Sequence, residues 1–485
     1  MSNDAANAKV ILKKCVSLSK AQRWRRLLIT TENDKSFLLF PRILIYKLDA
    51  AVALGHFSLV KAIVEEAKTV AGFPDETFAI VREINRYGFT EQATALLLEK
   101  SDLKDDVAFV PSIRRLLKAT ADPELRKKLT DALDTATRGG ASIAPVRSEH
   151  SFPDRVNAVP PGEVRLFHAT TVGRRHIDRL NADTAAFRDR IADPNNARVG
   201  EYHDVFVDCW GQIWNEDGAV IHSVGMPTPP LKRTDVTQAD TAMHALSKTR
   251  GIYHFLVDRL PMFAWMHGNA AAASIPILLR SGAPKFERQL LELGDFPTTQ
   301  IMEVSEPIFV RRLIRVRCGF EGLVGWQHVA PLFDQIIDNS LRLAAQHDVK
   351  LPEKIYISRA LAARRQMANE HDVHEAMQSR NIAVYQFENI PLWHQVALSH
   401  SAKTIVGPHG AGLSHLMFAP SATKIIEILP IADGTYTLRW NFSRLAQVRG
   451  QNYVAWLEEQ PLPVSDRWTT TMDQFLPFLD AELAD

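Results

Sequence analysis

The apolar residues change period part-way along the chain, and that change limits the fold more than any single motif. Up to about residue 138 they recur at helical spacing, in Leu48 to Ala67, Ile80 to Leu98 and Ile113 to Leu133. From Val164 onward, short β-branched or aromatic runs alternate with helical stretches. The runs include Val205 to Val207, Ala219 to Ile221, Ile275 to Leu279, Lys354 to Ser358, Ala383 to Tyr385, Lys403 to Gly407 and Lys424 to Leu429. Such alternation predicts parallel α/β sheets covered on both faces. Roughly 320 residues exceed one doubly wound domain and suit two. Between the two regimes, Arg138 to Glu163 holds two adjacent glycines and four prolines without any period, which marks a linker. The expected division is a helical module over 1–138, a linker over 139–163, one α/β domain over 164–350 and a second over 351–485. The last break falls near Asp348 to Pro352, before a fresh strand at Lys354.

Within the helical part, Gly55, Val60, Ala62 and Ile63 match Gly88, Ala93, Ala95 and Leu96 after a shift of 33 residues. A period of this length is typical of helix–turn–helix arrays. Such a module carries no chemistry of its own and serves self-association or the docking of a partner.

With 46% hydrophobic and 23% charged residues, the chain is neither disordered nor collagen-like. Its 57 Lys and Arg offset 56 Asp and Glu, which argues against a bulk electrostatic grip on nucleic acid and leaves room only for a local basic patch. Cys15, Cys209 and Cys318 are isolated, as expected of reduced thiols, with neither a disulfide framework nor a metal-ligand spacing. The first twenty residues lack the apolar core of a signal peptide. The best candidate for a membrane span, Met262 to Leu279, is interrupted by His267, Asn269 and Pro276. A cytoplasmic protein is expected, with any contact to the inner face of a membrane being peripheral.

Three stretches carry chemistry. In the first, Lys403 to Val406 reads as a buried strand, Gly407 to Gly412 as a tight turn, Leu413 to Phe418 as a helix, and Lys424 to Leu429 as the next strand. A helix opening at Gly410, Ala411 and Gly412 offers free N–H groups to an anion. The pattern is not a dinucleotide fingerprint, because the third glycine of GxGxxG would fall at His415. In the second, Arg359 stands at the carboxyl end of a strand, where open α/β sheets bind ligands, and Arg364 and Arg365 follow. Arginines there can clamp a diphosphate through forked hydrogen bonds. In the third, His254 and Asp258 are four residues apart and share a helix face, as a general-base pair would. Each stretch also admits a purely structural reading.

Together, YHFLVDRLP, YISR, VGPHGAGLSHLMFAP and IIEI resemble glycosyltransferase family 61 over roughly Val164 to Gln460. The resemblance implies a GT-B-like pair of Rossmann-like domains and an inverting sugar transfer from a nucleotide sugar, UDP-linked, to a glycan or polysaccharide acceptor. It implies that Arg359 and Arg365 neutralise the diphosphate, that Gly410, Ala411 and Gly412 offer amides to it, and that His409 contacts phosphate or sugar. Glu427 would bond a ribose hydroxyl, and Asp258 or His254 would deprotonate the acceptor. No Asp-x-Asp occurs in the chain, so arginines and a helix N-terminus would take the place of a divalent cation, with no cofactor. Two alternatives remain: a non-catalytic scaffold, or another nucleotide-binding α/β enzyme. The latter lacks support, since Tyr253, Tyr356 and Tyr436 are followed four residues on by Val257, Ala360 and Trp440 where a Tyr-x-x-x-Lys dyad would need lysine.

Overall fold

The computed structural model describes residues 3–32, 34–70, 74–99, 110–120, 122–138, 150–151, 160–191, 198–218, 220–222, 224, 229, 231–249, 251–267, 272, 274–317, 326–362, 366–432, 440–460 and 467–484. The chain forms two compact units. One is Met1–Ile143 with Gln212–Leu231; the other is Ala144–Gly211 with Lys232–Asp485.

The first unit contains the helices Asn3–Lys20 (α1), Trp24–Thr31 (α2), Arg42–Ala53 (α3), Ser58–Thr69 (α4), Pro74–Arg86 (α5), Thr90–Glu99 (α6), Val110–Ala119 (α7) and Pro123–Arg138 (α8). Leu44, Leu48, Ile63, Ile84 and Leu96 lie in its core. The sequence shift of 33 corresponds to two like turns. After α3, Gly55 adopts φ +71°, and the His56 N–H bonds back to the Ala51 carbonyl. After α5, Gly88 adopts φ +87°, and the Phe89 N–H bonds back to the Ile84 carbonyl. Both are left-handed glycine caps of the Schellman type. Cys15 is fully buried, and burial with nearby Asp34 raises its thiol pKa to about 11. Cys318 lies outside the described residues.

The second unit holds two sheets. In the first, Arg198–Val207 pairs antiparallel with Ile308–Arg317. The order then continues in parallel through Gln238–His244, Ile277–Arg280 and Ile301–Val304. The second sheet is parallel throughout, in the order Ala383–Tyr385, Lys354–Ile357, Thr404–Pro408, Lys424–Ile431, Asn452–Glu459, Val164–His168. Its central strands are apolar without alternation because helices cover both faces; Thr404–Pro408 is buried at every position.

The last pairing departs from the expected boundaries. Val164–His168 does not open the first sheet but forms the edge of the second, beside Asn452–Glu459. The helix after it, Arg174–Ile191, is tied to the same sheet's flank: Arg444 meets Asp183 at 2.5 Å, and the Trp440 indole donates to Thr184 at 3.0 Å. Arg165 also grips Glu482 of the closing helix Met472–Ala484 with two hydrogen bonds, at 2.9 and 2.6 Å. A parallel neighbour can come from anywhere in the chain, so spacing alone could not assign this strand.

The two sheets share one hydrophobic core. Phe333, on the helix Trp326–Gln346, is fully buried between Trp326 and Phe418, with ring centroids 4.9 and 5.5 Å away. Phe333→Ala is expected to cost about 3–5 kcal/mol, measured by denaturant unfolding of the full chain.

Candidate functional site

The glycine turn is built around the strand beside it. A Cβ placed on Gly410 would lie 1.8 Å from Arg359 Nη1 and 2.5 Å from its Cδ and Cζ. A Cβ on Gly412 would lie 2.8 Å from Ile357 Cγ2. Gly410 is extended, with φ 173°, so glycine is needed here for space and not for backbone conformation. The room that sequence reasoning left for a phosphate over Gly410 is taken by the Arg359 side chain. The turn runs into a 3₁₀ helix, Ala411–Phe418, whose last six residues are all buried.

Arg359 is set in place through its backbone. Its N–H donates to Glu370 Oε1 at 2.7 Å, and the Tyr356 hydroxyl donates to the same oxygen at 3.2 Å. Burial pushes the Glu370 pKa up, but hydrogen bonds from His374, the Arg359 amide and Ser358 outweigh it and hold the carboxyl below its ordinary value. The preceding Ser358 N–H bonds the Tyr385 carbonyl at 2.8 Å.

Arg359, Ala411 and Gly412 line a pocket of about 380 Å³ at the carboxyl ends of the parallel strands. Its walls include Ile357, Ser358, Phe387, Glu388, Gln395 and His415, with Ile252, Phe286 and Gln289 contributed from the part of the chain bearing the first sheet. Gln395 holds the 387–390 wall by donating to the Phe387 and Ile390 carbonyls at 2.7 and 3.0 Å. Arg365 and Arg364 lie outside the described residues.

His409 and Glu427 are absent from that lining. Glu427 is fully buried; its Oε1 meets His409 Nδ1 at 2.6 Å, and its Oε2 accepts from the Tyr453 hydroxyl. Burial, then the Glu427 charge and hydrogen bond, push the Tyr453 pKa well up, so the phenol remains the donor. The ribose contact expected of Glu427 is therefore not its position here. Its carboxylate faces protein groups, and it fixes the tautomer of His409 with the proton on Nδ1.

His254 and Asp258 come together as the spacing predicts. His254 Nδ1 lies 2.8 Å from Asp258 Oδ2, and both side chains are about half exposed. The helix between them is not regular, because Phe255–Arg259 is a π turn. Such turns recur at functional sites. Asp258 faces outward, whereas Arg259 turns inward and forms two hydrogen bonds with buried Glu287, at 3.0 and 2.6 Å. The Ile252–His254 turn packs on the Ala411–Phe418 helix. A chain of rings runs from His254 through Tyr253 and Phe442 to His409, with centroids 5.2, 5.8 and 5.3 Å apart.

Residues 252–426 match the glycosyltransferase 61 family model. That stretch, about a third of the chain, is similar to glycosyltransferase 61 domains. An EGF domain-specific O-linked N-acetylglucosamine transferase of Drosophila melanogaster is 31% identical over 104 residues, 21% of this chain and 19% of that protein. The protein of the same name in Bos taurus is 25% identical over 108 residues, 21% of this chain and 20% of its own length. The Mus musculus protein is 31% identical over 72 residues, 15% and 13% of the two chains. The chain thus spans about a fifth or less of the length of these curated relatives.

Sequence reasoning missed four residues of the matched stretch and its flank. Glu370 and Glu287 gave no signal because their partners are distant in sequence, and Tyr453 lies beyond the motif. His415 was noticed only as a missing glycine. It is 1% exposed, and its Nδ1 bonds the Gly412 carbonyl at 2.9 Å. Burial lowers its pKa to about 4, so the ring is neutral at physiological pH. Among the described residues, no group of three or more His, Cys, Asp or Glu side chains could hold a metal ion.

Two predictions follow from this geometry. Gly410→Ala displaces the Arg359 guanidinium and should lower the unfolding free energy by about 1–3 kcal/mol, read by denaturant unfolding of the full chain. For Glu370, the folded pKa is depressed, so its stabilising contribution is present above the ordinary value of 4.5 and is lost as pH falls through the folded pKa. The stability gap between the wild type and Glu370→Gln should therefore be widest above pH 4.5 and narrow below it.

Proposed function

We propose that this protein is a glycosyltransferase that moves a sugar from a UDP-linked nucleotide sugar to a glycan or polysaccharide hydroxyl, with inversion and without a metal ion. The observation that carries this reading is Arg359, laid over Gly410 and lining one pocket with Ala411 and Gly412 at the carboxyl end of a parallel sheet. A guanidinium and backbone amides together suit a diphosphate whose negative charge grows as the glycosidic bond breaks. The two sheets of the second unit fit a GT-B-like pair of Rossmann-like layers. The relatives are named for N-acetylglucosamine transfer, which makes UDP-N-acetylglucosamine the first donor to test. Their names also specify EGF domains, and the matched fifth of their length does not extend that acceptor to this chain.

In the proposed reaction, the His254–Asp258 pair receives the proton of the acceptor hydroxyl. With Nδ1–H held by Asp258, the imidazole Nε2 is the basic nitrogen and the carboxylate orients and stabilises the cation that forms. Asp258 acting directly as base is the alternative assignment. The attacking oxygen forms its bond to the anomeric carbon from the face opposite the leaving group. The nucleoside diphosphate departs with the electron pair, and Arg359 stabilises its charge. His409, oriented by Glu427, is assigned to the phosphate or sugar. The absence of Asp-x-Asp supports a metal-free mechanism.

The test has a binding arm and a rate arm. Calorimetry against UDP, GDP, CMP, ADP and NAD should show selective binding of one nucleoside diphosphate, lost in Arg359→Ala. Asp258→Asn and His254→Ala should each lower kcat by about 10²–10⁴ with donor binding unchanged. No binding by any nucleotide would turn attention to a non-catalytic scaffold. Selective NAD binding would point to another α/β enzyme, and loss of turnover on adding EDTA would end the metal-free mechanism.

A further inference from the structure

The helical unit carries a surface of a different character from the rest of the chain. Between residues 9 and 26 stand Lys9, Lys13, Lys14, Lys20, Arg23, Arg25 and Arg26, and no acidic residue. All seven are exposed, and among the described residues none forms an ion pair. Cations elsewhere in the unit do pair: Lys47 with Glu66, Lys68 with Glu65 and Glu99, Arg86 with Glu83, and Lys128 with Glu124. A carboxylate is thus within reach of these four cations and of none in this run.

The geometry gathers the run into faces. On α1, Lys9, Lys13 and Lys20 fall within roughly 40° of one another, opposite buried Ala8 and Cys15. On α2, Ile29 lies between Arg25 and Arg26, on the side away from buried Leu27 and Thr31. Ile29 is 71% exposed and Val10 is 58% exposed. Leu38, Leu39 and Phe57 add three more exposed apolar side chains to the same unit. At the turn between α1 and α2, Arg23, Trp24, Arg25 and Arg26 surround an open concavity of about 490 Å³.

We propose that this face docks on the surface of an anionic lipid bilayer. Unpaired cations alone would suit any polyanion. A branched apolar side chain held in water between two arginines costs free energy unless a nonpolar phase receives it, and a bilayer offers that phase beneath its phosphates. The Trp24 indole suits the same boundary. The cations supply attraction that falls with salt, and Ile29 and Val10 supply the shallow insertion. Nucleic acid satisfies the charge but not the exposed aliphatic groups. The proposal is independent of the donor-site reading.

Sedimentation of the full chain with vesicles tests it. Binding is expected to vesicles of phosphatidylcholine containing phosphatidylserine, and not to phosphatidylcholine alone. Combined Arg23→Glu, Arg25→Glu and Arg26→Glu should weaken partitioning by at least about 30-fold. Ile29→Ser should weaken it by about 3- to 10-fold without affecting binding to long-chain polyphosphate. These side chains are solvent-exposed or at the rim, so unchanged far-ultraviolet dichroism and melting temperature verify folding of each variant. Absence of sedimentation with anionic vesicles overturns the proposal. So does binding that is equal for polyphosphate and vesicles and indifferent to Ile29→Ser, which would assign the face to a polyanionic partner.

Discussion

Three glycines leave the space into which the end of one strand is keyed. Gly407 approaches the Ile357 carbonyl, Gly410 lies under Arg359, and Gly412 lies against the Ile357 side chain. A methyl group at 410 or 412 would collide with those side chains. Close packing makes such a fit all-or-none, because a protein interior has few voids to absorb a displaced side chain. The position of Arg359 therefore depends on the absence of a Cβ in a segment some fifty residues later. The pocket follows from it, since the same strand end and the same turn form two of its walls.

Buried charges fix the rest of the site. Glu370 accepts from the Arg359 amide and Tyr356, Glu427 holds His409 and Tyr453, and Glu287 holds Arg259. Burying a carboxylate is costly, and replacing such pairs by apolar groups is often neutral or stabilising. Their value lies in geometry: a carboxylate with several donors has one arrangement that satisfies it. Here each network sits one residue or one hydrogen bond from a group assigned to binding or proton transfer. Arg259 anchors the π turn from the inside while its neighbour Asp258 faces solvent.

The parts of the fold visible in the sequence were those written in local pattern. The helical period up to residue 138 and the strand–turn–helix–strand at 403–429 depend on neighbours within a few residues, whereas most of the expected linker over 139–163 lies outside the described residues. The His254–Asp258 contact was visible for the same reason, since residues four apart meet on a helix. What escaped was non-local. Val164–His168 joins the second sheet because its edge beside Asn452–Glu459 accepts a parallel strand, and no local signal encodes that choice. The glycines signalled close approach correctly, but a sequence cannot say whether a ligand or a side chain fills the gap, and at Gly410 it is Arg359. His415 was obscured by a motif comparison that asked only whether it was glycine.

Net charge concealed a further feature by averaging. A formal charge of +1 describes the whole chain, whereas electrostatic attraction falls off over about 10 Å at ordinary ionic strength. Seven cations within eighteen residues form a field that distant carboxylates cannot cancel in salt solution. Lys47, Lys68 and Lys128 of the same unit show the alternative, each set against a carboxylate three, four or more residues away. The run from Lys9 to Arg26 departs from that arrangement at the place where Val10 and Ile29 are also exposed. Unsatisfied charge and uncovered apolar area each cost something alone, and their coincidence on α1 and α2 is what gives the surface a physical reason to meet a partner that is both anionic and apolar.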